Sequence, residues 1–124
     1  MILVDTSVWI DHLRGDDAAL ALLLDDREVL VHPHVIGEIA LGRLRQRELV
    51  IQALQRLPSA TIATEVEVLL LIQSDALFGL GVGYVDAHLL AAVRLTPGAR
   101  LWTRDPRLAL VADRMRLGAP QSLR

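Results

Sequence analysis

The chain contains no cysteine, no lysine and very few aromatic residues. Cysteine numbers 0 among 124 residues, and aromatic residues make up 3% of the total. The absence of cysteine excludes a disulfide framework and a thiolate metal site. All 13 basic residues are arginine, so any mechanism that requires a catalytic lysine is excluded as well.

The rest of the composition indicates one domain spanning residues 1–124, which is long enough to bury a hydrophobic core. Hydrophobic residues account for 52% and the mean hydropathy is +0.39, so we expect a partner or a second copy to cover part of the surface. The net charge of −2 does not favour non-specific nucleic-acid binding through bulk charge. The apolar runs are shorter than the roughly 18 residues of a membrane span. Because Asp5 interrupts the N-terminal apolar run, no signal peptide is predicted, and we expect a cytoplasmic protein.

Short apolar runs alternate with helical patterns along the chain. Strands are predicted at Ile2–Val4, Val29–Val31 and Arg100–Thr103, with brief ones at Thr61–Ala63 and near Leu117. Helices are predicted over about 7–13, 16–26, 34–46, 48–57, 64–77, 85–95 and 106–115. Their start signals include Thr6 and Ser7 as N-caps, Pro33, the capping box from Thr64 to Glu67, and Asp105-Pro106. This alternation predicts an α/β fold, a parallel sheet with helices on both faces.

Four acidic residues follow strands or begin helices at corresponding places. Asp5 ends the first strand, Asp105 follows the third, and Glu38 lies early in the helix after the second. Because the carboxyl ends of parallel strands share one edge, Asp5 and Asp105 meet there if their strands are neighbours. Asp86 opens a helix after a glycine-rich loop, and the sequence does not fix which edge that loop reaches. An acid that closes an inner apolar strand is costly to bury without a function, which makes Asp5 the strongest candidate.

Carboxylates gathered at one edge repel one another unless a cation neutralises them. Oxygen-only ligands select Mg²⁺ or Mn²⁺ over zinc, and such an ion promotes attack of water on phosphorus. Hydrolysis of a phosphodiester is therefore the predicted chemistry. Three neighbouring hydroxyls, those of Thr6, Ser7 and Thr103, are expected to hold the carboxylates or a water bound to the ion.

Two further patterns resemble cofactor sites but lack the necessary spacing. Gly79, Gly81 and Gly83 do not match the G-x-G-x-x-G spacing of a dinucleotide fingerprint. His32 and His34 have no convincing third ligand for zinc. His88 lies two residues after Asp86 and so faces another side of the helix, which predicts a structural role or indirect support of the site's carboxylates.

In their order along the chain, four segments are similar to the successive sequence blocks of PIN-domain ribonucleases, and most of all to the VapC-type toxins of bacterial toxin–antitoxin pairs. These segments are Val4–Ser7, Val35–Ile39, Tyr84–Ala92 and Leu101–Asp105. The resemblance covers essentially the whole chain. It implies a PIN-like three-layer α/β/α fold around a parallel sheet of about five strands in the order 3-2-1-4-5.

The resemblance also implies an activity and its partners. Mg²⁺ or Mn²⁺ would be bound by Asp5, Glu38, Asp86 and Asp105, with support from Thr103. The implied reaction is endonucleolytic cleavage of RNA by a homodimer that is inhibited by a cognate antitoxin. Because aromatic residues are scarce, RNA shape and phosphates should dominate recognition.

Two arginine-rich segments flank these blocks, one at residues 43–47 and one at residues 100–107. Their arginines are expected to form a solvated face, to contact phosphate or to pair with acids. Arg104, which directly precedes Asp105, is the preferred candidate for contact with the substrate.

Other functions remain open from the residues alone. A receiver-like phosphoacceptor also has acids at strand ends, but it normally requires a lysine. A phosphatase with an aspartyl nucleophile would have a second acid two residues after Asp5, where Ser7 stands. In a non-catalytic interaction module, Asp86 and Asp105 would be ordinary helix caps and Glu38 a surface acid.

Overall fold

The computed structural model describes residues 1–123 and contains a three-stranded parallel sheet. Strand β1 (Ile2–Val4) lies in the centre, between β2 (Val29–Leu30) and β3 (Arg100–Trp102). Ile2 is opposite Val29 on one side and Arg100 on the other. The three residues of β1 are buried, as expected for an inner strand of a parallel sheet covered on both faces.

The prediction of about five strands is wrong in number, because only three strands form within residues 1–123. Single parallel bridges continue the sheet on both sides, from Val31 to Ser59 and from Leu101 to Gly118. These bridges follow the expected spatial order, but neither segment extends into a strand. Pro58 and Pro120 adjoin the bridged segments and lack the amide hydrogen that a longer ladder needs. The short strand expected at residues 61–63 is absent, and the chain pairs with Val31 at Ser59 instead.

Seven α-helices lie within residues 1–123: α1 (Thr6–Gly15), α2 (Ala18–Asp25), α3 (Pro33–Ala40), α4 (Arg47–Arg56), α5 (Glu65–Ser74), α6 (Tyr84–Leu95) and α7 (Pro106–Arg114). A 3₁₀ turn follows at Gln121–Leu123. Several boundaries differ from expectation, among them the end of α5 at Ser74 rather than near residue 77. Asp5, not Thr6 or Ser7, occupies the N-cap of α1, and α3 ends at Ala40, shortly before Gly42, which is a poor helix former. None of these helices is long and apolar enough to cross a lipid bilayer.

The helices pack in two groups around the sheet. Helix α1 packs on α3 and α3 on α4, whereas α5 packs on α6 and α6 on β3. Helix α6 is buried from Ala87 to Val93, which makes it the most enclosed helix of this part of the chain. Trp9 and Trp102 are core residues, as expected. In the Leu69–Ile72 run, Leu71 faces the core while Leu69 and Leu70 are exposed.

Candidate active site

Asp5 lies at the carboxyl end of β1 and is 7% exposed. Its Oδ2 atom accepts hydrogen bonds from Ser7 Oγ at 2.8 Å and from Thr103 Oγ1 at 2.7 Å. Thr103 directly follows β3, so the pairing of β1 with β3 brings these side chains together. Hydrogen bonds of this kind stabilise a charged carboxylate and fix its orientation.

Asp105 is tied to the same edge through Thr103. Its backbone N–H donates to Thr103 Oγ1 at 3.1 Å. Its Oδ1 atom accepts from the backbone N–H groups of Arg107 at 2.9 Å and Leu108 at 3.5 Å, which caps α7. The predicted N-cap role is therefore observed, and it leaves the second carboxylate oxygen uninvolved in the cap.

Glu38 reaches this edge from the second turn of α3. Its Oε1 atom accepts a hydrogen bond from Thr6 Oγ1 at 2.7 Å. Thr6 is the first residue of α1, so a contact between α1 and α3 positions this carboxylate beside the end of β1. Glu38 is exposed, unlike Asp5.

Asp86 comes from the third position of α6, and its Oδ2 atom accepts from the N–H of Gly83 at 3.0 Å. The preceding loop packs closely on α7: Gly81 has φ +79°, and a Cβ atom there would lie 2.7 Å from Nη1 of Arg107. Only glycine adopts this conformation without strain. The sequence left open which edge this loop reaches, and the structure brings it to the edge that holds Asp5.

The pKa of Asp86 shows that these acids share one electrostatic environment. Burial is the largest cause that raises it, the Gly83 hydrogen bond opposes the rise, and the negative charges of Asp5, Asp105 and Glu38 add to it. Repulsion between carboxylates favours the protonated form of one member. We call the set of Asp5, Glu38, Asp86 and Asp105 the acidic edge.

Each carboxylate of the acidic edge has one oxygen that receives no hydrogen bond from the described part of the chain. Within residues 1–123, the hydrogen bonds use only Oδ2 of Asp5, Oε1 of Glu38, Oδ2 of Asp86 and Oδ1 of Asp105. None of the ion pairs in this part of the chain involves these residues. Negative charge that is held in place and has no cationic partner is the environment that a bound cation relieves.

The acidic edge fits a hard cation that keeps its own water. Within residues 1–123, no three histidine, aspartate or glutamate side chains already converge as a metal cage. Mg²⁺ needs no such cage, because it retains several waters and takes one or two carboxylates. A structural zinc ion needs four direct ligands, so the donor set fits Mg²⁺ or Mn²⁺ better.

Arg104 is not directed toward the acidic edge. Its guanidinium donates through Nη1 to Asp11 Oδ2 at 2.6 Å and through Nη2 to Asp17 Oδ2. It also lies over the ring of Trp102, at 5.6 Å from the centroid. This pairing was not predicted from the sequence, in which Asp17 lies at the start of the helix predicted over about 16–26.

A histidine cluster lies beside the acidic edge. The ring centroids of His34 and His88 are 4.7 Å apart, and those of His32 and His34 are 4.9 Å apart. His32 Nδ1 accepts a hydrogen bond from the His34 backbone N–H at 3.0 Å. Burial lowers the pKa of His32 to about 4, and the other two histidines add to the effect. A neutral ring with Nδ1 engaged carries its proton on Nε2, which argues against zinc ligation there.

The fold and site together define a class of protein: an α/β domain whose parallel sheet gathers carboxylates at its carboxyl edge. Residues 2–114 match the PIN-domain family, and the chain belongs to that family. It is also 55% identical over 108 residues to the protein named Ribonuclease VapC32 in two strains of Mycobacterium tuberculosis, CDC 1551 / Oshkosh and ATCC 25618 / H37Rv. The alignment covers 87% of this chain and 87% of each relative. The predicted membership in the VapC-type PIN ribonucleases is confirmed.

Proposed function

We propose that this chain is a Mg²⁺- or Mn²⁺-dependent endoribonuclease that hydrolyses RNA phosphodiester bonds at the acidic edge. The observation that carries the proposal is the set of free carboxylate oxygens with no ion-pair partner within residues 1–123. The similarity to a protein named as a ribonuclease supports RNA as the substrate. The caps formed by Asp86 and Asp105 and the exposure of Glu38 match the non-catalytic alternative, but that alternative gives no reason for their negative charges to meet at the buried Asp5. The receiver-like alternative lacks the lysine that it normally requires.

The residues of the acidic edge would hold the ion. A bound ion supplies neutralisation of phosphate charge and a more acidic water. Asp5 is the central anchor, because Ser7 and Thr103 fix its orientation. Glu38, Asp86 and Asp105 supply negative charge from three other elements, and each is held by one of its two oxygens.

The cellular role we propose is that of the toxin in a toxin–antitoxin module. The membership in the VapC type supports this role. A cognate antitoxin would inhibit the enzyme, and the enzyme would act as a homodimer in the cytoplasm. The exposed apolar side chains Leu69 and Leu70 support association with a second copy or a partner.

Substitution of Asp5 tests the catalytic assignment. Asp5→Asn keeps the size of the side chain and removes its charge, so we expect no Mn²⁺-dependent cleavage of RNA and an unchanged circular dichroism spectrum. Asp25→Asn is the matched control, because Asp25 is exposed at the end of α2. Full activity of the Asp5→Asn variant would overturn the metal-site assignment.

Expression in a bacterial host tests the toxin role separately. We expect growth arrest on expression of the wild-type chain, relief by co-expression of the small neighbouring gene product, and no arrest with Asp5→Asn. Harmless expression together with no copurifying partner would contradict the toxin role. It would not contradict nuclease activity, which the RNA cleavage assay tests separately.

A further inference from the structure

We propose that Arg104 is a positioning residue that ties the turn between β3 and α7 onto α1, and that it does not contact the RNA. This inference rests on the proposed nuclease function, because it concerns how the acidic edge is held. It replaces the interpretation of Arg104 as a substrate contact.

The side chain of Arg104 joins three elements. It extends from the turn after β3 to Asp11 in α1 and to Asp17 at the start of α2. The two carboxylate oxygens of Asp17 have different partners. Oδ1 caps α2 by accepting a hydrogen bond from the Leu20 N–H at 3.0 Å, and Oδ2 accepts one from Arg104. The Leu20 hydrogen bond and then the Arg104 contact lower the pKa of Asp17. The carboxylate therefore stays ionised over the working pH range of most enzymes.

We call the contacts of the Arg104 guanidinium with Asp11 and Asp17 the clamp. The backbone of Arg104 connects the clamp to Asp5. Its N–H donates to Ser7 Oγ at 3.0 Å, and Ser7 in turn donates to Asp5 Oδ2 at 2.8 Å. The preceding residue, Thr103, donates to the same oxygen of Asp5 at 2.7 Å, and the following residue is Asp105. A shift of this turn would misalign both the hydroxyls that orient Asp5 and the carboxylate of Asp105.

The local charge argues against phosphate binding at this guanidinium. Two carboxylates, from Asp11 and Asp17, surround one positive charge, so the group carries net negative charge and disfavours a phosphate. An arginine whose donors already engage carboxylates must break those contacts before it binds RNA. A role in holding the turn requires no such rearrangement, because it depends on the contacts that Arg104 already makes with Asp11 and Asp17.

Steady-state kinetics on a defined RNA separate the two roles. We expect Arg104→Gln to lower kcat by about tenfold, with KM changed less than about twofold, because the effect is on the alignment of the acids. Arg104→Lys, which keeps one ion pair, should restore part of kcat. Arg94→Gln is the matched control, since Arg94 pairs with Asp75 at 2.7 Å away from the acidic edge, and it should leave kcat unchanged.

The partners of Arg104 provide the sharper comparison. Asp11→Asn combined with Asp17→Asn should reproduce the loss of kcat, and adding it to Arg104→Gln should cause no further loss. The amide oxygen introduced by Asp17→Asn can still cap α2, so the change is confined to the clamp. If Arg104 instead contacts phosphate, Arg104→Gln raises KM and the double aspartate variant lowers it by freeing the guanidinium. That pattern would overturn the proposal.

Binding of Mn²⁺, measured by electron paramagnetic resonance, gives a readout that does not depend on cleavage. We expect several-fold weaker Mn²⁺ binding for both Arg104→Gln and the double aspartate variant, and wild-type binding for Arg94→Gln. A wild-type chain that binds Mn²⁺ but cleaves no RNA would refute the proposed function, and the affinities would still decide the role of Arg104. Unchanged affinity together with unchanged kcat in Arg104→Gln would refute the positioning role.

Discussion

Replacing Thr103 by valine removes one hydroxyl that serves two members of the acidic edge. Thr103 Oγ1 donates to Asp5 Oδ2 at 2.7 Å and accepts from the Asp105 N–H at 3.1 Å. Valine has nearly the same shape, so packing around this buried position is preserved. After the change, the carboxylate of Asp5 keeps the hydrogen bond from Ser7 and loses the one from residue 103, and the Asp105 N–H loses its acceptor.

The size of the effect follows from these contacts. A hydrogen bond to a charged group contributes about 1.5–3 kcal/mol, and the loss is largest where the abandoned partner is buried. Asp5 is 7% exposed, so water replaces the hydroxyl poorly. We expect the free energy of unfolding to fall by about 1.5–3 kcal/mol. Loss of a group that orients a metal ligand typically weakens metal affinity by about 10- to 100-fold, and we expect Mn²⁺ affinity to fall within that range.

Urea unfolding and Mn²⁺ titration measure the two effects, and two variants serve as controls. Thr103→Ser keeps the hydroxyl and should retain most of the affinity. Thr96→Val removes a hydroxyl that also bridges two groups, donating to the Ala92 carbonyl at 2.7 Å and accepting from the Thr61 N–H at 2.9 Å. It should reduce stability without changing Mn²⁺ affinity. Wild-type Mn²⁺ affinity in Thr103→Val would refute the reasoning.

Three further predictions concern pH, the glycine loop and charge repulsion. Because the pKa of His32 is lowered to about 4 from 6.5, its neutral form stabilises the fold above pH 6.5; this contribution, roughly 3 kcal/mol, is lost as pH falls toward 4. Urea titrations at several pH values should show that the free energy of unfolding depends less on pH in His32→Asn than in the wild type. The same dependence on pH in both proteins would contradict the prediction. Gly81→Ala should lower the free energy of unfolding by about 1–2 kcal/mol, since φ is +79°; thermal melts showing no loss would count against the loop geometry. Asp86→Asn should raise stability in EDTA, where burial and, to a smaller extent, repulsion by the other acids raise the pKa of the carboxyl, and should abolish stabilisation by Mn²⁺; a less stable variant in EDTA would be inconsistent with a charge that is costly at this position.

The sequence was sufficient to predict the parts of the fold that depend on local signals. Asp105 with Pro106, and Thr64 with Glu67, begin helices where expected, because capping is a property of neighbouring residues. The end of α3 at Ala40 was not predicted, since the apolar pattern continues beyond it and only Gly42 marks the break. The predicted number of strands was too high, because Pro58 and Pro120 adjoin the outer segments and limit pairing there to single bridges at Ser59 and Gly118. Where a single bridge forms depends on tertiary contact rather than on a local pattern.

The site shows the same division. The meeting of Asp5 and Asp105 was predictable on the condition that their strands are neighbours, and the pairing of β1 with β3 meets that condition. The approach of Asp86 was predictable only through the family resemblance, because a glycine-rich loop can turn in many directions and its path here includes a close contact with Arg107. The partners of Arg104 lie 93 and 87 residues away along the chain. No spacing rule connects residues at such a separation, so only the folded structure could reveal the clamp.

A crystal soaked in Mn²⁺ tests the central claim most directly, because anomalous scattering locates the ion without reference to activity. We predict a peak at the acidic edge, within coordination distance of Asp5 and at least one of Glu38, Asp86 and Asp105, and no such peak in the Asp5→Asn variant. A well-diffracting soaked crystal with no anomalous density at this edge, or with its peak elsewhere on the surface, would contradict the account.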